Sequence, residues 1–97
     1  MKWGESAAVF AAYGTWRATG AQRAGAVVAR ALASDDETNR TAAGMLLVKS
    51  GERALPLLRE NLERGIAVPM TLRVLADIGG PAADALRAEF TPREQPR

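Results

Sequence analysis

An internal repeat constrains the fold of this chain more than any other feature of its sequence. Residues 47–62 read LVKSGERALPLLRENL and residues 75–90 read LADIGGPAADALRAEF, and the two segments align at an offset of 28. The alignment pairs identical residues at five positions: Leu47/Leu75, Gly51/Gly79, Ala54/Ala82, Leu58/Leu86 and Arg59/Arg87. An apolar helix end, a glycine turn and a second amphipathic helix at one spacing are typical of a repeat of helical hairpins.

Apolar residues at three- and four-residue steps predict helices along the whole chain. The predicted spans are about 6–18, 21–33, 35–49, 52–64, 68–78 and 81–90. Ser6 is the expected N-cap of the first helix, and Ser34 with Glu37 has the spacing of a capping box. The predicted buried faces include Phe10, Val27 and Met45, among other apolar residues. A glycine inside the first helix, at position 14, indicates the close approach of a neighbouring helix.

The order of these helices predicts an all-α fold. Short connections between helices make neighbours antiparallel, which gives three hairpins at about 6–33, 35–64 and 67–90. Because each hairpin alone would leave an apolar face in water, the hairpins are expected to stack. The predicted architecture is a right-handed α-α superhelix (a solenoid) of six helices, forming one domain over residues 1–90. Residues 91–97 contain two prolines and alternating charges and are predicted to be a disordered tail.

The chain contains no cysteine and no histidine. The usual nucleophile–base pairs and the commonest zinc ligands are therefore missing, and no disulfide is expected. The acidic run Asp35-Asp36-Glu37 is interpreted as a helix cap, because a calcium loop needs spaced ligands and a central glycine. We predict no catalytic residue, no cofactor and no metal site.

The charge balance is also uninformative about a charged partner. Thirteen basic and eleven acidic side chains leave a formal charge of only +2, and no basic cluster stands out.

The N-terminal sequence has an acid where a signal peptide would be positive, and the apolar stretch from Ala7 to Tyr13 is too short to span a bilayer. We therefore expect no membrane association and a cytoplasmic location.

The segments SDDETNRTAAGMLLVKSGERALPLLRENL and AVPMTLRVLADIGGPAADALRAEF resemble HEAT-like repeats, in particular the short bacterial type also found in phycobilisome lyases. The shared features are an acidic cap, an early arginine (Arg40), an alanine–leucine run, a glycine and Ala-Leu-Pro-Leu-Leu. The resemblance covers roughly residues 20–90. It implies a scaffold that binds other proteins, since most members of that family are scaffolds. Some relatives attach or remove bilin chromophores, but no catalytic motif of theirs matches a residue here.

Three arginines are the first candidates for partner binding. Arg30, Arg59 and Arg87 lie in the second helices of the three predicted hairpins, at steps of 29 and 28 residues. In HEAT-like stacking the second helices line the concave face, so the arginines would form a ladder facing an acidic peptide or a phosphate backbone. The alternative is a mixed, solvated face, because acidic residues share these helices.

Aromatic residues at the N-terminal end are the second set of candidates. Trp3, Tyr13 and Trp16, with Phe10, fall within the first sixteen residues, and the fifth aromatic residue is Phe90. These rings either seal the end of the core or form an exposed surface that docks a partner or a second copy of the chain.

The sequence therefore predicts a non-enzymatic adaptor or scaffold that binds another protein, through its concave face or its aromatic N-terminal end. The alternative is a nucleic-acid-binding module that uses the same arginines. The two hypotheses differ in salt dependence, because phosphate binding weakens steeply as salt increases. Chromophore-lyase chemistry is a third hypothesis, and it follows only from the family resemblance.

Overall fold

Helices with a 3.6-residue period form along the whole described chain. The computed structural model describes the backbone of residues 3–91 and the side chains of residues 7–91. The helices are α1 (Trp3–Thr19), α2 (Gln22–Arg30), α3 (Glu37–Ser50), α4 (Leu55–Glu63), α5 (Val68–Ile78) and α6 (Gly80–Phe90). Two short 3₁₀ turns, Ala31–Ala33 and Gly51–Ala54, follow α2 and α3. Residues 3–91 contain no strand, so the prediction of an all-α fold is confirmed. The predicted tail lies outside the described residues, apart from Thr91.

Two predicted helix starts are wrong. Helix α1 begins at Trp3 rather than after a cap at Ser6, so Ser6 is an internal position of the helix. Helix α3 is capped by Asp36, whose Oδ1 accepts a hydrogen bond from the Thr38 amide at 2.9 Å. The Ser34 hydroxyl instead accepts from the Asp36 amide at 3.1 Å, which forms a turn ahead of the helix. Asp caps a helix at least as well as Ser, and the cap therefore moves two residues along the chain.

The two glycine turns expected from the repeat are confirmed. Gly51 and Gly79 follow α3 and α5 with φ angles of 61° and 69°, a region that residues with a side chain rarely occupy. Pro56, Pro69 and Pro81 lie in the first turns of α4, α5 and α6. A proline costs little there because the amides of the first turn have no partner within the helix.

The helices pack in two sets. Helix α1 contacts α3, which contacts α5, while α2 contacts α4, which contacts α6. The two sets meet through contacts of α1 with α2, α2 with α3, α4 with α5, and α5 with α6. The first helices of the three predicted hairpins thus neighbour one another, and so do the second helices. The radius of gyration is 13.5 Å, close to the value of about 12.5 Å expected for a compact chain of this length.

Leucine, valine and alanine side chains from all the helices form the core between these two sets. Leu47, Leu58 and Leu75 are fully buried, one each from α3, α4 and α5. The other buried apolar residues are Val9, Trp16, Val28, Ala29, Leu32, Ala43, Ala54, Leu57, Leu62, Val74, Ala83 and Leu86. Each helix contributes to this one core, which explains why residues 7–91 have no separate second core.

A polar contact crosses the core between α2, α4 and α5. The Asn61 side chain, only 3% exposed, donates a hydrogen bond to the Ala29 carbonyl at 2.9 Å. The same amide lies 3.4 Å from the hydroxyl of Thr71, which is fully buried. Buried polar groups are costly unless they are paired, and this amide is paired with a carbonyl from another helix. The contact therefore specifies how α4 sits against the end of α2.

Three residues that were predicted to be buried are exposed. Phe10, Val27 and Met45 have exposed fractions of 54%, 45% and 68%. Each lies beside a residue that does face the core, and a run of neighbouring apolar residues covers more of a helix surface than its neighbours can bury.

The predicted close approach at Gly14 is also wrong. A methyl group at that position would meet nothing within 4 Å. The close approach occurs at Gly25 in α2, where a methyl group would lie 2.9 Å from both Leu57 methyls and 3.0 Å from a Trp16 ring carbon. Gly25 therefore allows α2 to pack tightly between α1 and α4.

Candidate functional site

An open apolar groove lies between α1 and α3. It has a volume of about 450 Å³, and we call it the Met45 groove. Its lining residues are Phe10 from α1 and Glu37, Thr38, Thr41, Ala42, Met45 and Leu46 from α3. Phe10 and Met45 are among the most exposed large apolar side chains of residues 7–91. Exposed apolar side chains that meet in one concave place indicate a binding surface more strongly than scattered ones do.

The groove follows from the way α3 divides its two faces. Residues four apart lie on the same side of a helix, so Thr41 and Met45 share one face with Glu37. Ala43 and Leu47 lie on the opposite face and are fully buried. The buried face of α3 therefore determines which of its residues line the groove. Any rotation of α3 about its axis would expose Leu47.

A second groove lies on the other side of the same face, between α3 and α5. Its volume is about 460 Å³, and we call it the Met70 groove. It is lined by Glu37, Arg40, Thr41, Gly44, Met45, Val48, Met70, Arg73, Val74 and Asp77. The two grooves share Glu37, Thr41 and Met45, so Met45 stands on the ridge between them. Flexible, polarisable methionine side chains adapt to apolar partners of different shapes.

The two grooves differ in charge. Glu37 is the one charged residue among residues 7–91 that line the Met45 groove, and it forms no ion pair with any of those residues. The Met70 groove contains both signs of charge, and its Arg40 donates a hydrogen bond to the Ser34 carbonyl at 2.8 Å. The described lining of the Met45 groove is therefore apolar apart from one negative charge, that of Glu37 at the start of α3.

The predicted arginine ladder is largely paired with carboxylates. Arg59 of α4 donates to both carboxylate oxygens of Glu89 in α6, at 3.2 and 2.8 Å. This pairing raises the pKa of Arg59 and lowers the pKa of Glu89, in each case mainly through the hydrogen bonds between them. Arg87 lies 3.6 Å from Asp84 of its own helix. Arg30 is exposed at the end of α2 and has no ion pair within residues 7–91.

The aromatic candidates do not form one exposed surface. Trp16 is only 4% exposed and belongs to the core, so for this ring the alternative that it seals the core is correct and the expectation that it lies on an exposed end surface is wrong. The Tyr13 ring is half-buried and lies 6.1 Å from the Trp16 ring, centroid to centroid, in a tilted arrangement. Trp3 is the first residue of α1, and its side chain lies outside the described residues. The exposed ring among residues 7–91 is Phe10, which sequence reasoning assigned to the core.

Two arginines flank these rings. Arg53 lies over the Trp16 ring at 5.3 Å and donates to the carbonyls of Trp16 and Arg17, each at 3.1 Å. It thereby adds a side-chain donor to two carbonyls near the end of α1, one of which, that of Trp16, also accepts from the Gly20 amide at 2.7 Å. The contact with Trp16 spans 37 residues, and no local pattern indicates it. On the other side, Arg17 lies 5.9 Å from the Tyr13 ring and donates to its hydroxyl at 3.3 Å.

These neighbours lower the pKa of the Tyr13 phenol. Partial burial raises the pKa of the Tyr13 phenol, but hydrogen bonds with Arg17 and Ser50 lower it. The positive charges of Arg17 and Lys49 act in the same direction. The net effect is a pKa below the ordinary value for tyrosine, because interactions that favour the anion outweigh desolvation.

Comparisons with protein-family models, with characterised proteins and with solved structures give no match for this chain. Within the described residues, no group of three or more acidic side chains comes together to hold a metal ion. None of the helices in that region has the length and apolar character needed to cross a bilayer. The two grooves and the charges around them are the features of the described residues that bear on function.

Proposed function

We propose that this chain is a small HEAT-like module that binds another protein and catalyses no reaction. In this proposal its six helices form three hairpins, stacked as a right-handed superhelix. The support is the order of contacts: α1, α3 and α5 follow one another in one set, and α2, α4 and α6 in the other. Stacked hairpins produce this order, because each repeat contacts only the next one.

The observation that carries the binding function is the exposure of Phe10 and Met45 in one groove. Exposed apolar side chains that cluster in a concave surface mark interaction sites more often than singly exposed ones do. Binding energy usually comes from a few apolar anchors inserted into such a place. The Met45 groove lies on the first helices of the hairpins, whereas the family resemblance pointed to the second helices.

The arginines give less support to the second function, nucleic-acid binding. Arg59 is occupied by Glu89, and Arg87 is close to Asp84. A nucleic acid would have to displace these carboxylates and would gain few phosphate contacts in return. Nothing in the described residues therefore favours nucleic-acid binding over protein binding.

The proposal is tested with displayed fragments of the source organism's own proteins. Fragments that bind the intact chain are measured by calorimetry against the double variant Phe10→Ser/Met45→Gln. Losing two anchors is expected to weaken binding at least about tenfold, since anchor residues commonly contribute more than about 1 kcal/mol each. Both substituted side chains are exposed, so the helical content measured by circular dichroism should not change.

Val27→Ser is the matched control. Val27 is also an exposed apolar residue, but it lies in α2 and does not line either groove. Fragments docked in the Met45 groove should bind this variant as tightly as the native chain. If no fragment distinguishes the double variant from Val27→Ser, the groove is not the binding surface and the proposed function is refuted.

A further inference from the structure

We propose that the Met45 groove takes an amphipathic helix of the partner, with a lysine or arginine placed against Glu37. The inference depends on the proposed function, which it deepens by naming the class of binding element. It follows from the walls of the groove, its length and the negative charge of Glu37.

The walls of the groove select a helix over other binding elements. Residues 3–91 contain no strand, so the described surface offers no sheet edge to which an extended peptide could add. Proline-rich peptides dock on grooves lined by several aromatic rings, and the described lining of this groove contains one, Phe10. An apolar groove between two helices is the common receptor for the apolar face of a third helix.

The length of the groove sets the spacing of the anchors. Its lining on α3 runs from Glu37 to Leu46, about 14 Å at about 1.5 Å per residue. A helix laid along it would contact the groove over roughly two and a half turns. The partner therefore needs apolar residues at positions i, i+3 or i+4, and i+7, which lie on one helical face.

The negative charge of Glu37 determines where the partner helix needs a cationic residue. Glu37 is exposed, lines the groove and has no ion pair within residues 7–91. A docked helix would partly desolvate this carboxylate, and a cationic residue beside it offsets that cost. Arg40 does not supply the charge, because its guanidinium is bound to the Ser34 carbonyl and it lines the other groove.

The test uses a displayed library of helix-forming peptides of about 14 residues, roughly four turns, with one face randomised. Peptides are selected on the intact chain and counter-selected on Phe10→Ser/Met45→Gln. We expect the retained sequences to carry the apolar spacing given above and a lysine or arginine at one end of it. Replacing that cation by glutamate should weaken binding at least about fivefold, the effect of turning an attraction into a repulsion.

The complementary change is made in the protein. Glu37→Lys should weaken the selected peptide by a similar factor and restore binding of its glutamate version. Glu52→Lys is the matched control, because it makes the same charge change at an exposed residue outside both grooves and should alter neither affinity.

The outcomes separate this inference from the function on which it depends. Groove-dependent native fragments that bind in an extended form, or selected peptides whose affinity does not change with Glu37→Lys, would overturn the inference while the proposed function stands. Self-association of the intact chain that Phe10→Ser/Met45→Gln abolishes would also overturn it, because the occupant would then be a second copy. If neither peptides nor native fragments depend on the groove, the proposed function itself fails.

Discussion

Three glycines inside helices should respond to alanine in opposite ways, according to the space around each one. Gly14, Gly25 and Gly44 lie within α1, α2 and α3. Alanine is better than glycine in a helix by about 1 kcal/mol, and this gain is common to all three positions. Any difference in the free energy of unfolding among the three variants therefore reports the contacts that the added methyl group makes.

The expected changes in the free energy of unfolding follow from the distances. At Gly14 a methyl group meets nothing within 4 Å, so Gly14→Ala should stabilise the fold by about 1 kcal/mol. At Gly44 it would lie 3.9 Å from Leu32 and Val74, an ordinary contact that adds a little burial to the same gain. Gly44→Ala should therefore be at least as stabilising as Gly14→Ala.

At Gly25 overpacking opposes the gain. The added methyl group would lie 2.9 Å from both Leu57 methyls and 3.0 Å from Trp16. Leu57 and Trp16 are both buried, and Arg53 lies over the Trp16 ring at 5.3 Å, so neither side chain has free space into which it can move. Overpacking costs about 1–3 kcal/mol, and the net effect of Gly25→Ala should be a loss of about 1 kcal/mol.

The series is measured by urea unfolding followed by circular dichroism. We expect the order Gly44→Ala, Gly14→Ala, native, Gly25→Ala from most to least stable. Gly14→Ala should also raise the melting temperature by about 4–8 °C, the range for a domain of this size. A Gly25→Ala variant as stable as Gly14→Ala would refute the reasoning, because it would show that α2 does not need the close approach seen at Gly25.

Three further predictions concern single polar contacts. Arg53→Ala should lower the free energy of unfolding by about 1–2 kcal/mol and shift Trp16 fluorescence, because it removes two hydrogen bonds and a cation–π contact. Arg53→Lys should recover only part of the lost free energy. Asn61→Ala should cost about 2 kcal/mol in urea unfolding because it removes a buried hydrogen bond, and a change under about 0.5 kcal/mol would contradict that role. Glu89 should titrate below its ordinary pKa in carbon NMR, because Arg59 stabilises its carboxylate form. The ion pair therefore stabilises the fold at a pH above the unfolded pKa of Glu89, and this stabilisation is lost as the pH falls through the folded pKa. Arg59→Gln should return the titration midpoint of Glu89 to the ordinary value, and an unchanged midpoint would contradict the pairing.

Local signals in the sequence were sufficient for the helices and most of their ends. Prolines in first turns and glycines after helices act through the backbone of one or two residues, so they can be interpreted without knowing the fold. This is why the helix over 68–78 was predicted with the bounds that α5 has. The N-cap of α3 was misplaced because Ser34 and Asp36 are both good caps, and their competition is settled by which hydroxyl or carboxylate reaches the Thr38 amide.

Tertiary structure alone decided which apolar residues are buried and where the candidate site lies. Phe10 and Met45 lie next to residues that face the core, and hydrophobic periodicity cannot separate such neighbours. The same holds for the contacts of Arg59 with Glu89 and of Arg53 with Trp16, which join residues 30 or more positions apart. A residue's own type and its near neighbours determine helix, turn and cap, whereas exposure and pairing depend on which helix packs against which, and that order exists only in the folded chain.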